Sequence, residues 1–131
     1  MIYNLFISHS WTYDDQYDRL IKLLDSAPNF EYKNYSVPKD DPIHYMQYDY
    51  QLKEAIGQKI QPTSCVIIIA GVYSTYSKWI NIELELACKM GKRIIAVEPW
   101  GAERTSSVVK KYADRVVKWQ ASSIINTIRE S

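Results

Sequence analysis

Long hydrophobic runs are missing from this chain of 131 residues. The longest apolar segment, Cys65–Val72, is far too short to span a bilayer, so we expect no membrane partner. The sequence opens directly on strand-like residues without a signal peptide, and we therefore expect a cytoplasmic protein. The formal net charge is only +1, which gives no electrostatic case for binding nucleic acid.

Cysteine and glycine are also scarce, with two and four residues respectively. Cys65 and Cys88 fall in a predicted strand and a predicted helix, and neither belongs to a cluster with metal-ligand spacing. We therefore expect two buried free thiols in a reducing compartment and no metal site. No G-x-G-x-x-G loop is present, so a dinucleotide would not be bound in the manner of dehydrogenases.

The overall composition is that of an ordinary folded domain, with 47% hydrophobic and 24% charged residues. A chain of this length can bury one hydrophobic core, and no linker, internal repeat or low-complexity stretch divides it. We expect a single domain over residues 1–131.

Apolar runs alternate with helical patterns from end to end. Strands are predicted at Ile2–Ser8, Glu31–Ser36, Ser64–Gly71 and Arg93–Glu98 and around Arg115–Lys118. Helices are predicted from Asp14 or Asp15 to near Pro28, over about 46–60, over 79–91 with Gly91 as C-cap, near Ser106–Tyr112 and over Ser122–Arg129.

Strict alternation of strands and helices predicts an α/β fold with a parallel sheet covered on both faces. Five strands favour a flavodoxin-like three-layer sandwich with strand order 2-1-3-4-5. Ligands of such sheets bind beyond the carboxyl ends of the strands, near the switch between the first and third strands. Three loops are therefore candidates for the site: Ser8–Tyr13, Val37–Tyr45 and Val72–Lys78.

Two glutamates stand two residues apart in the segment 79–91, WINIELELACKMG. Helical residues advance by roughly 100° each, which places Glu85 in a polar stripe with Asn81 and Lys89. The same spacing places Glu83 in the middle of the apolar arc. Glu85 is thus explained as a solvated residue, whereas Glu83 is not.

A carboxylate on an apolar helix face is unfavourable unless it is paired, hydrogen-bonded or open to a cavity. Glu83 is therefore either a structural carboxylate held by an arginine, a lysine or a tyrosine hydroxyl, or a functional group that lines the ligand crevice. Burial would raise its pKa and the nearby helix N-terminus would lower it, and the sequence leaves open which effect is larger.

Three segments together resemble TIR domains. Phe6–Ser10 (FISHS) resembles the opening box of that family, and Arg93–Val97 (RIIAV) resembles the strand that follows the third helix. The segment Tyr76–Leu84 (YSKWINIEL) is similar to the TIR segment in which a serine and a tryptophan precede a glutamate. The short length and the Trp-x-x-x-Glu spacing look most like the TIR-like subunits of bacterial Thoeris antiphage defence.

The resemblance implies that Glu83 is catalytic and that it acts in cleavage of the nicotinamide–ribose bond of NAD. NAD would be the substrate, and no cofactor or metal would be needed. In Thoeris relatives the products are cyclic or conjugated ADP-ribose signals that activate a separate effector protein. We also expect that the chain can form a homo-oligomer.

Further residues are predicted to contact the substrate because they lie in or near the three candidate loops. Trp11 and Trp79 could stack on a base or pack, the two aspartates could bind ribose hydroxyls or form a turn, and Ser74 could bind or cap a helix. The predicted substrate-binding set is Phe6, Ser8, His9, Trp11, Asp40, Asp41, Ser74 and Trp79.

Other functions remain open at this point. The segment 37–45 does not resemble the second box of receptor TIR domains, and Ile80 stands where many TIR domains carry a cysteine. A receiver domain is disfavoured because its third strand should end in aspartate rather than Ala70-Gly71, and a flavodoxin is disfavoured because the first loop has no glycine. A nucleoside deoxyribosyltransferase is an enzymatic rival. A non-catalytic TIR-like module that acts by homotypic assembly is the rival from another class, and the tyrosines within Tyr32–Tyr50 would suit its interface.

Overall fold

The computed structural model describes residues 2–8, 14–36, 49–69, 78–98 and 107–130. Strands and helices alternate throughout these ranges, as the sequence predicts. The strands are β1 (Ile2–Ser8), β2 (Glu31–Asn34), β3 (Cys65–Ile69), β4 (Arg93–Glu98) and β5 (Arg115–Lys118). The helices are α1 (Asp14–Asp25), α2 (Asp49–Ile60), α3 (Lys78–Lys89), α4 (Ser107–Tyr112) and α5 (Ala121–Arg129).

All five strands pair in parallel, in the order β2-β1-β3-β4-β5. This order confirms the predicted flavodoxin-like α/β sheet. The chain leaves β1 towards β2 on one side and returns to β3 on the other, so β1 and β3 flank the topological switch. In register, Leu5 lies beside Cys65 and Ser8 beside Ile68. The carboxyl ends of β1 and β3 therefore meet at one edge of the sheet.

The sheet separates two hydrophobic clusters, each formed by alternate strand residues and the helices that cover them. On the face covered by α2, α3 and α4, the strands contribute Phe6, Val66, Ile68, Ile94 and Ala96. On the face covered by α1 and α5, they contribute Leu5, Ile7, Cys65, Ile67, Ile69, Ile95 and Val97. Every residue of β3 is buried, which explains its uninterrupted apolar sequence.

The C-terminus of α3 is closed by Gly91, as predicted. Gly91 has a φ of 69°, a conformation that glycine adopts without a steric penalty from a Cβ atom. Its N–H donates to the carbonyl of Cys88 at 3.1 Å, and the N–H of Lys92 donates to the carbonyl of Ala87 at 2.9 Å. This pair of bonds is a Schellman motif, and it turns the chain directly into β4.

The second strand is shorter than predicted, ending at Asn34 rather than Ser36. The N–H of Tyr35 still donates to the carbonyl of Leu5 at 2.8 Å, but the N–H of Ser36 donates to the side chain of Asn34 at 2.9 Å. A local side-chain bond thus replaces the ladder. The predicted extensions of α2 to residue 46 and of β3 to residue 71 lie outside the described residues.

The two cysteines differ in environment. Cys65 is buried in β3, as predicted, but Cys88 is exposed, and its predicted burial is wrong. Cys88 is nine positions after Trp79, which places it at about 180° from Trp79 on the helical wheel, beside the polar stripe. None of the helices in the described ranges has the length and apolar character needed to cross a membrane.

Candidate active site

Glu83 points into the protein, as its helical position predicts. It is the sixth residue of α3, and only 4% of it is exposed. Its neighbours Ile82 and Leu84 are buried as well, whereas Glu85 is exposed. The helical period therefore separates two chemically identical side chains into a solvated one and a buried one.

Ser8 is the residue that Glu83 meets across the interface between β1 and α3. Side chains alternate along a strand, so Ser8 faces the same side as Phe6, towards α2, α3 and α4. The Ser8 hydroxyl donates a hydrogen bond to Oε2 of Glu83, and Ser8 is 1% exposed. The site thus joins the carboxyl end of β1 to the first half of α3.

The environment of Glu83 is strongly unfavourable for a negative charge. Burial raises its pKa from the ordinary 4.5 to about 8, and the hydrogen bond from Ser8 acts in the opposite direction with a smaller effect. Burial thus has a larger effect on this pKa than the hydrogen bond from Ser8, and the net direction is upward. Within the described residues, the carboxyl is held by a serine hydroxyl and not by the arginine, lysine or tyrosine that a structural carboxylate was expected to have.

A second polar group lies at the same edge of the sheet, on the other side of β1. The N–H of Ile7 donates to Oγ of Ser36 at 3.2 Å, and Ser36 in turn donates to the side chain of Asn34. Nδ2 of Asn34 donates to the hydroxyl of Tyr17 in α1 at 2.8 Å. Sequence reasoning did not nominate these residues. The position of Asn34 at the carboxyl end of β2, with Ser36 directly after it, was the available signal.

The structure brings two of the predicted site residues, Ser8 and Glu83, into contact. Phe6 is fully buried in the cluster under α2, α3 and α4, and its predicted contact with substrate stays a prediction. Trp79 lies in the first turn of α3, and its role also stays a prediction. The remaining predicted substrate contacts lie outside the described residues: His9, Trp11, Asp40, Asp41 and Ser74.

A surface pocket of about 370 Å³ lies elsewhere, between the C-terminal ends of α3 and α4 and the start of β4. Its lining includes Cys88, Lys92, Arg93, Tyr112 and Asp114. Arg93 begins β4, so the pocket is at the amino edge of the parallel sheet, opposite the Ser8–Glu83 pair. In the part of the chain that the structure describes, no group of three His, Cys, Asp or Glu side chains is placed to hold a metal ion.

Comparison with known proteins places the fold and the family. The fold is similar to that of the CMP N-glycosidase BcmB from Clostridium botulinum, with a TM-score of 0.56 and 15% sequence identity over 97% of this chain and 98% of that one. At this identity, the similarity concerns the fold alone. A search of curated proteins found no match. The sequence model of a family described as Thoeris protein ThsB, TIR-like domain, matches residues 6–104. That range is more than half of the chain and contains both members of the site, so the chain belongs to the TIR-like domain family of the Thoeris protein ThsB.

Proposed function

We propose that this chain is an NAD-consuming TIR-like enzyme that cleaves the nicotinamide–ribose bond and makes a cyclic or conjugated ADP-ribose signal in antiphage defence. The observation that carries the proposal is the buried Glu83 carboxyl, held by the Ser8 hydroxyl at the carboxyl edge of the sheet, where parallel α/β sheets bind their ligands. NAD is the substrate in this proposal, and no cofactor is needed. The signal activates a separate effector protein in the cytoplasm.

A single carboxylate is chemically sufficient for this reaction. The bond between the ribose C1′ and the pyridinium nitrogen breaks, its electron pair leaves with nicotinamide, and nicotinamide departs as a neutral molecule. The ribose ring then carries oxocarbenium-like positive charge, as in glycoside cleavage, until an oxygen or nitrogen nucleophile donates its electron pair to C1′ and completes the product. Glu83 can stabilise that charge and hold a ribose hydroxyl. The leaving group is already cationic in NAD, so the general acid that most glycosidases require is unnecessary.

Binding of a cationic substrate would change the protonation state of Glu83. With a pKa of about 8, the free protein carries mostly the neutral acid at pH 7. A positively charged nicotinamide ring beside it would favour the carboxylate, because an opposite charge lowers the pKa of an acid. The carboxylate is the active form in this mechanism. We therefore expect kcat/KM to rise with pH and to level off above about pH 8.

The structural neighbour supports the class of bond. By its name, BcmB is an N-glycosidase that acts on CMP, and the nicotinamide–ribose bond of NAD is also N-glycosidic. CMP is therefore the second substrate to test. Family membership favours NAD over CMP, because the Thoeris resemblance implies NAD chemistry.

The test is release of the base from each nucleotide. Purified protein is incubated with NAD or with CMP, and nicotinamide, cytosine and ADP-ribose products are measured by mass spectrometry. Glu83→Gln removes the charge with little change in shape, and Glu85→Gln makes the same change on the exposed side of the same helix. We expect the wild type and Glu85→Gln to release nicotinamide, and Glu83→Gln to be slower by a factor of about 100 or more.

The outcomes separate the alternatives. A folded Glu83→Gln variant that works at the wild-type rate would overturn the mechanism. Release of cytosine without nicotinamide would replace NAD with a pyrimidine nucleotide as substrate. If no base is released by the purified protein or in phage-infected cells that express it, and the chain forms homo-oligomers by light scattering, the non-catalytic assembly module is correct instead.

A further inference from the structure

The position of Ser8 and its hydrogen bond both direct its hydroxyl to Glu83. Ser8 is the last residue of β1, it is 1% exposed, and its register beside Ile68 fixes its position in the sheet. A serine hydroxyl has a single proton to donate, and that proton is directed to Oε2 of Glu83. The Ser8 hydroxyl is therefore engaged with Glu83, and donating to a substrate instead would break that bond.

The carboxyl of Glu83 is anchored on one oxygen. Among the described residues Ser8 is its one hydrogen-bond partner, and no lysine, arginine, histidine or second carboxyl of β1, α2, α4 or β4 pairs with it. Oε2 is thus fixed by the strand, while Oε1 has no partner in the described part of the chain. Because Oε2 is held, Oε1 keeps a constant direction, and catalysis by a fixed charge requires such a constant direction.

We propose that Ser8 is a positioning residue that acts through Glu83: its hydroxyl fixes Oε2 and stabilises the charged form, so that Oε1 is presented to the sugar. This inference rests on the proposed function and assigns Ser8 a role different from the substrate contact that the sequence suggested. Burial opposes the charged form, and the bond from Ser8 favours it. Without Ser8, the same acid would ionise only at higher pH.

The direct test measures the carboxyl itself. Protein labelled with ¹³C at the side-chain carboxyls of glutamate is titrated by NMR, and the signal that is missing in Glu83→Gln identifies Glu83. We expect a midpoint near pH 8 in the wild type and a midpoint higher by about one pH unit or more in Ser8→Ala, which is the usual strength of a hydrogen bond to a charged group. An unchanged midpoint in Ser8→Ala would overturn the proposal.

Thr127→Val is the matched control. Thr127 is also a buried hydroxyl, 4% exposed, but it lies in α5 on the other face of the sheet and donates to the carbonyl of Ser123 at 2.7 Å. Its replacement removes a buried donor of the same kind without touching Glu83. We expect the Glu83 midpoint to stay at its wild-type value in this variant.

The kinetic test separates positioning from substrate contact. A positioning role predicts that Ser8→Ala loses about tenfold in kcat/KM at pH 7 for each unit by which the midpoint rises, and recovers most of that loss at pH values above the new midpoint. A raised KM at every pH with an unchanged midpoint would overturn it in favour of direct substrate binding. If the NMR midpoint moves as expected but no variant cleaves NAD, the proposed function fails while the control of Glu83 by Ser8 stands.

Discussion

Replacing Glu83 with glutamine is expected to stabilise the protein at alkaline pH and much less at acidic pH. Burial raises the pKa of Glu83 from 4.5 to about 8, so between these values the folded state keeps a proton that the unfolded chain has released. A state that binds more protons is favoured by low pH. The free energy of unfolding therefore falls as pH rises from about 4.5 to about 8. Glutamine does not ionise, and the variant is spared this loss.

The size of the effect follows from the difference between the pKa of Glu83 in the folded protein and its pKa in the unfolded chain. A difference of roughly 3.5 pH units at about 1.4 kcal/mol per unit sets an upper limit of about 5 kcal/mol on the stability lost by the wild type. In a domain of this size, 1 kcal/mol changes the melting temperature by about 4 °C. We expect the advantage of Glu83→Gln over the wild type to grow by between about 5 and 15 °C from pH 5 to pH 9.

Thermal unfolding of the wild type, Glu83→Gln and Glu85→Gln at the two pH values provides the measurement. The glutamine amide at position 83 brings N–H groups that need acceptors, but any cost of placing them is the same at both pH values and cancels in the comparison. Glu85→Gln should stay within about 2 °C of the wild type, because exposed substitutions change stability little. An advantage of Glu83→Gln that is equal at pH 5 and pH 9 would refute the reasoning.

Three further predictions concern other parts of the molecule. Cys88 is exposed and should react with a thiol reagent in the folded protein. Burial raises the pKa of Cys65 to about 12, so Cys65 should stay unreactive until the protein is unfolded. Reaction of two thiols per chain under native conditions would contradict this prediction. Gly91→Ala should lower the free energy of unfolding by about 1 kcal/mol, because the φ of 69° at this position is unfavourable for a residue with a Cβ atom. An unchanged urea midpoint would show that the turn tolerates a side chain. Gly57→Ala should raise the free energy of unfolding by up to about 1 kcal/mol, because alanine favours the interior of a helix more than glycine does. The added Cβ meets only the flexible end of Met90, at 3.2 Å. A loss of stability would mean that Met90 cannot move.

The fold and the direction of Glu83 were predictable from the sequence because both depend on local periodicity. Uninterrupted apolar runs such as Cys65–Ile69 mark central parallel strands, and the alternation with helices leaves few possible sheet orders. The helical period alone distinguishes Glu83 from Glu85. It also places Cys88 beside the polar stripe, so the wrong expectation of burial came from the general habit of cysteine rather than from its position.

The partner of Glu83 was not predictable in the same way. Ser8 is 75 positions away in the sequence, and the contact depends on the distance between β1 and α3, which periodicity does not contain. The shortening of β2 depends on a competing bond between the Ser36 N–H and the Asn34 side chain, a local choice that strand propensity does not reveal. The size of the pKa change depends on three-dimensional burial and was likewise out of reach.

The place of Ser8 at the end of a strand paired on both sides has a consequence for engineering this protein. Because side chains alternate, inserting or deleting one residue between Ile2 and Ser8 would turn the hydroxyl towards α1 and α5 or dislodge the strand from its neighbours. Additions before Ile2, which is 53% exposed, leave that count intact. Tags and fusion partners therefore belong ahead of the strand, while a single insertion within it would separate the two halves of the site at once.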